Sequence, residues 1–158
     1  MKEATLFTIG YEGASTGQFW QTLCDNHVEL LLDVRGTPWS RKAGFSKAAL
    51  EVAAEKNDLN YEHCQSMGCP RDILNAYRID KDWERYTRRF WRYLRTQEHG
   101  VFALAEVARV HRCALMCFEA DPNFCHRSYV AQFMEELCPS IEIVHLHATE
   151  RSGILAFD

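Results

Sequence analysis

The chain has 158 residues, 47% hydrophobic and 25% charged, a composition that suits one soluble domain (1–158) with a substantial core. No apolar run approaches the roughly 20 residues needed to cross a bilayer, and Met1-Lys2-Glu3-Ala4 lacks the regions of a signal peptide. The formal net charge of -4 gives no global attraction to nucleic acid, and the expected location is cytoplasmic, away from membranes.

In chain order, Thr5–Gly10 (TLFTIG) reads as a first strand stopped by glycine. Ser15–His27 places Phe19, Trp20 and Leu23 at helical spacing behind a Ser/Thr cap. Glu29–Gly36 (ELLLDVRG) is a compact apolar run that ends in Asp33 and Arg35, and Thr37-Pro38 enforces a loop. Ser46–Asn57 has a serine cap and strong helix formers, and Leu59–Cys64 suits a short strand. A long helix is predicted over Asp80–Gln97 and another over Val101–Arg112. A strand follows over CALMCFE, then a helix over HRSYVAQFMEELC and a last strand over Ile141–Ala148. Nearly continuous apolar strands separated by helices predict an α/β fold, a Rossmann-like three-layer α/β/α sandwich with a mainly parallel sheet.

Ligand crevices in such folds lie beyond the carboxyl ends of the strands. There the chain places Gly10-Tyr11-Glu12-Gly13, then Asp33-Val34-Arg35-Gly36, then Glu119 shortly before Cys125-His126-Arg127. These sets come from distant parts of the chain, and parallel strands bring them to one rim, where a pocket is expected. Each member also has a structural role open to it: Asp33 and Arg35 as an ion pair, Glu119 as a turn cap or partner of Arg127, His126 as a satisfied core histidine.

A helix start suits an anion, and His126, Arg127 and Arg35, with Arg41 as a weaker candidate, suit a phosphate. Glu119 fits a general base or nucleophile, with Asp33 as its partner or as the group that orients Arg35. Tyr11 and Tyr61 are placed to stack on a base or sugar. Cys125, at a helix N-terminus beside His126, is expected to have a lowered pKa, but Cys125 and Arg127 do not match the Cys-x5-Arg loop of thiol phosphatases. Seven cysteines are an odd number, and most are read as free thiols of a reducing compartment. Cys64, Cys69 and His63, with Cys117, Cys125 and His126, have only loosely ligand-like spacing; no metal and no cofactor is expected.

Asp80–Gln97 carries a second signal. Trp83, Tyr86, Phe90, Trp91, Tyr93 and Leu94 share one helical face, and Arg85, Arg88, Arg89, Arg92 and Arg95 fill the other. Arg71–Arg95 holds eight Lys/Arg and four Asp/Glu. The arginine row is either a solvated basic face or a contact for phosphates of a nucleic acid.

TIGYEG, LLDVRGTPWSRKAGFSKAAL, LNYEHCQSMG and ALMCFEADPNFCHRSYVA together resemble the domain of unknown function 488 family, over roughly Thr8 to Ala148. The resemblance implies site residues Gly10, Asp33, Arg35, Pro38, Ser40, Arg41, Phe45, Tyr61, Glu119, Cys125, His126 and Arg127. Cys69-Pro70-Arg71 departs from it, standing where such sequences tend to have a glycine-rich turn. The resemblance supplies no reaction. The leading expectation is an enzyme acting on a nucleotide or nucleic acid, with hydrolysis of an N-glycosidic bond as its most concrete form. The alternatives are a non-catalytic nucleotide- or nucleic-acid-binding module that clamps phosphate, and a thiol- or metal-dependent redox protein using Cys125.

Overall fold

A computed structural model describes residues 2–148. Its order is β1 (Ala4–Gly10), α1 (Thr16–Asp25), β2 (Leu30–Asp33), α2 (Lys47–Lys56), β3 (Asn60–His63), α3 (Arg71–Asp80), α4 (Trp83–Arg95), α5 (Glu98–Val110), β4 (Cys113–Cys117), α6 (His126–Leu137) and β5 (Ile141–His147). The strands form one sheet in the order β3-β2-β4-β1-β5, with every pairing parallel. This is a Rossmann-like three-layer α/β/α arrangement. Among the described residues no helix is long and apolar enough to cross a membrane.

Two apolar cores lie on opposite faces of the sheet. Phe19, Trp20 and Leu23 of α1 and Leu50 and Ala54 of α2 pack on Phe7, Ile9, Leu31, Ala114 and Met116. On the other face, α3 to α6 pack on Leu6, Leu32, Cys113, Leu115 and Cys117. Successive strand residues therefore alternate between the two cores, as side chains on a pleated sheet must. β4 lies at the centre of the sheet and all five of its residues are buried.

The local signals behave as their chemistry requires, with four differences. Ser15 caps α1 in a capping box with Gln18, each side chain taking the other's backbone N–H. Ser46 precedes α2, but its hydroxyl accepts from the Ser40 backbone N–H at 3.0 Å and ties down the preceding loop. The predicted long helix over Asp80–Gln97 is shorter. Lys81 adopts a left-handed conformation (φ 55) and closes α3, and the Asp82 carboxylate then accepts the Arg85 N–H and starts α4 at Trp83. Helix α3 has no counterpart in the sequence reading, although Ile73, Leu74 and Tyr77 stand at helical spacing and pack on the core. Helix α5 begins at Glu98 and not at Val101.

Candidate functional site

Parallel register sets the rim. Gly10 is level with Cys117 on one side and His147 on the other, and Asp33 is level with Met116 and His63. The carboxyl ends of β1, β2 and β4 thus open onto one edge. The chain after β4 crosses directly over the end of β1: the Glu12 backbone N–H donates to the Phe118 carbonyl at 2.8 Å, and a Cβ on Gly10 would lie 1.8 Å from the Glu119 carbonyl oxygen. Gly68 makes a similar approach to Gly36, so this glycine, just before Cys69-Pro70-Arg71, lets the loop after β3 close on the loop after β2.

The expected residues share this rim but divide between the faces of the sheet. Asp33 follows the parity of Leu31 and points with Met116 toward α1 and α2. It is fully buried. Its carboxylate accepts Arg35 Nε at 2.8 Å, Arg35 Nη2 at 2.7 Å and the Arg35 backbone N–H at 3.1 Å. The Tyr61 hydroxyl donates to it at 2.5 Å. Arg35, also buried, donates its remaining Nη1 to the Tyr11 hydroxyl at 3.1 Å. Burial works against the Arg35 charge, but the hydrogen bonds and charge of Asp33 more than offset it and hold the guanidinium above its ordinary pKa. Burial, with the adjacent Asp33, likewise pushes the Tyr61 hydroxyl up. Tyr11 is buried and stacked on Phe45 at 4.4 Å. Asp33 and Arg35 thus form the ion pair open to them, and the hydroxyls of Tyr11 and Tyr61 join the same network. Arg41, in the following loop, is exposed.

The second group faces α3 to α6. Cys117 ends β4 and Cys125 precedes α6, both buried, and their sulfurs are joined as a disulfide. The free Cys125 thiolate expected at this helix start is thus held as half of a bond; Cys24, Cys64, Cys69, Cys113 and Cys138 are free. His126 Nε2 lies 2.6 Å from the Val34 carbonyl and joins the start of α6 to the loop after β2. Burial holds its pKa below the ordinary value, so the ring is neutral near pH 7. Arg127 is fully buried. Its guanidinium donates to the carbonyls of Glu119 and Ala120 and toward Cys117 Sγ at 3.4 Å, and burial pulls its pKa down to about 10. It shapes the loop after β4 from beneath and is closed to an incoming phosphate.

Glu119 is half-buried at the mouth of this group, with Oε1 3.6 Å from Cys117 Sγ. It enters no ion pair among the described residues. Burial pushes its carboxyl above the ordinary carboxylate value, while its own backbone N–H and Arg127 pull the other way. The neighbouring Glu12 carboxylate accepts the Ala120 N–H at 3.0 Å and stiffens the same turn. Donor atoms of Cys117, Cys125 and His126 lie within 4.8 Å of one another. Cys64, Cys69 and His63 form no such group: burial, with Glu62 and Asp33 nearby, pushes the Cys64 thiol up to about 12, and His63 Nε2 sits 2.7 Å from the Arg35 carbonyl.

The arginine row lies as its periodicity predicts. Tyr86, Phe90 and Leu94 are buried, and the Phe90 ring meets His126 edge-on at 5.4 Å. All five arginines are exposed. Arg85 pairs with Asp80 at 3.1 Å and Arg95 with Glu136 at 3.3 Å. Arg88, Arg89 and Arg92 have no ion pair among the described residues.

Three aromatic residues that the sequence reading passed over stand exposed in the loops after β2 and β4: Trp39, Phe118 and Phe124, at 62%, 43% and 54%. A signal for them was present. Trp39 and Phe124 are large apolar side chains in turn-rich segments outside any helical or strand period, and Phe118 falls within the predicted strand over CALMCFE, which in the structure ends one residue before it, at Cys117.

An all-parallel five-stranded sheet covered by helices on both faces, with a polar and aromatic rim after its central strand, defines an α/β protein of the Rossmann-like class. The chain belongs to the family described as domain of unknown function DUF488, whose model matches residues 15–134. That span contains the whole rim except Gly10–Gly13. No curated protein and no solved structure matches the chain.

Proposed function

We propose that this protein is an enzyme acting on a nucleotide or nucleic acid, and that it hydrolyses an N-glycosidic bond with Glu119 as the reacting carboxylate. The observation that carries this reading is the position of Glu119. It follows the central strand, is half-open to solvent, and has no cation paired to it among the described residues, whereas Asp33 on the same rim is wholly engaged. A carboxylate so placed can stabilise the oxocarbenium-like charge that develops as the sugar–base bond breaks, or activate the attacking water. Stacking on the base falls to Trp39, Phe118 and Phe124 in place of Tyr11 and Tyr61. Phosphate contact falls to Arg41 and the arginines of α4 in place of Arg35 and Arg127. A base within a duplex would have to be extruded to reach Glu119.

The test is a screen of nucleotides and of oligonucleotides with modified bases for released base. Glu119→Gln should lower turnover by about 100-fold or more while binding is retained; undiminished turnover in that variant refutes the assignment.

The exposed Arg88, Arg89 and Arg92 favour a second reading, a module that binds nucleic acid without chemistry. Exchanging all three for alanine should weaken binding to every sequence alike and flatten the dependence of log K on log salt by about three units. Binding titrations across a salt series measure both, and affinity unchanged by the exchange counts against any role of this helix in binding.

A further inference from the structure

The reading above leaves the Cys117, Cys125 and His126 group without a task. Three donor atoms within 4.8 Å of one another, two sulfurs and a ring nitrogen, form a set that a thiophilic cation takes. Its surroundings point the same way. Arg127 is fully buried, touches only two carbonyls and Cys117 Sγ, and its Nε has no partner among the described residues. A buried guanidinium calls for a negative partner; a disulfide sulfur carries no charge, and a metal-bound thiolate does.

His126 supplies the next observation. The Val34 carbonyl can only accept, so Nε2 at 2.6 Å carries the proton and the ring's lone pair is on Nδ1. Metal-bound imidazoles are ordinarily held in this way through their other nitrogen. Finally, the Cα atoms of the two cysteines are 7.6 Å apart, beyond the about 4.4–6.8 Å that disulfides usually span. A backbone this open suits two sulfurs facing a shared ion.

We infer that the reduced protein binds one thiophilic divalent cation, of which zinc is the representative, through Cys117 Sγ, Cys125 Sγ and His126 Nδ1. The two thiolates balance the charge of the ion, and Cys117 Sγ lies 3.4 Å from the Arg127 guanidinium. Three protein ligands leave one position of a tetrahedral ion for water or a substrate oxygen. The inference does not rest on the glycosidic reaction proposed above. Its readout is metal uptake, so failure of either leaves the other standing.

The experiment begins by reducing the full chain with a phosphine. The phosphine becomes its oxide by taking the oxygen of one water, whose two protons pass to the two sulfurs as the S–S bond breaks. Metal binding then releases both thiol protons as the metal–sulfur bonds form. After treatment with a chelator and its removal, the reduced protein is titrated without oxygen, with Co2+ in one series and Zn2+ in another.

The expected result is one ion per chain and a thiolate-to-cobalt charge-transfer band. Zinc should protect Cys117 and Cys125, but not Cys24, from alkylation read by mass spectrometry. Cys125→Ser should weaken uptake by at least about 100-fold, more than the loss of an outer partner, and Cys24→Ser should leave it unchanged. The absence of a thiolate–cobalt band, uptake unaltered in Cys125→Ser, or protection of Cys64 and Cys69 instead would overturn the inference. The protection measurement uses the unsubstituted protein and stands even if a variant does not fold.

Discussion

Asp33→Ala should lower the stability of the fold by about 3–5 kcal/mol, read as a reduced midpoint in urea unfolding. Asp33 is fully buried and is the only carboxylate paired with Arg35 among the described residues. Removing it leaves the guanidinium enclosed with two weaker partners, the Tyr11 hydroxyl at 3.1 Å and the Trp39 carbonyl at 3.5 Å. The Tyr61 hydroxyl loses its acceptor as well. The cost comes from the uncompensated buried charge more than from any net gain of the pair itself. Replacing both residues by apolar ones of similar size, Asp33→Leu with Arg35→Met, should therefore recover much of the loss. If the double variant is no more stable than Asp33→Ala, the network holds the loop after β2 by its hydrogen bonds and charge neutralisation is secondary.

Gly10→Ala should be comparably damaging, with a loss of about 3 kcal/mol, at or above the upper end of ordinary overpacking. The reason is local and severe. An added Cβ would lie 1.8 Å from the Glu119 carbonyl oxygen and 2.5 Å from its carbon, both backbone atoms that no rotamer change can move aside. To relieve the contact, the chain after β4 must lift away from the end of β1, taking with it the carbonyls that Arg127 grips and the Glu119 side chain. Gly17→Ala is the control. Gly17 is exposed in α1, and the nearest atom to its added Cβ would be Ser15 Oγ at 3.9 Å. That variant should be stabilised by about 0.5–1 kcal/mol, because alanine is the better helix former. Thermal unfolding of the two variants side by side measures the contrast; a Gly10→Ala protein as stable as the parent would mean that the loop after β4 is free to shift.

Much of the fold was legible in the residues because it rests on local chemistry. The apolar runs at Leu30–Asp33 and Cys113–Cys117 have the continuous pattern of strands covered on both faces, and they lie side by side in the sheet. Alternating aromatic and arginine positions set the buried and exposed sides of α4 before any contact was known. Helix α3 was legible by pattern, with Ile73, Leu74 and Tyr77 at helical spacing, but its packing against α4 through Tyr77, Trp83 and Tyr86 joins residues on either side of a helix break and is tertiary. The break at Lys81 depends on one residue in a left-handed conformation, which no apolar period reveals.

The composition of the rim was likewise contained in the chain, since strands that end in or just before Gly10, Asp33 and Glu119 need only be parallel to meet at one edge. How its members are divided was decided by tertiary structure alone. Asp33 is level with Met116, one residue short of Cys117, and so points to the opposite face of the sheet from the Cys117, Cys125 and His126 group. Side chains alternate with a period of two, and a slip of one residue between β2 and β4 would have put them on the same face. Register between strands about eighty residues apart is set by the packing of both cores at once, and no short stretch of sequence encodes it.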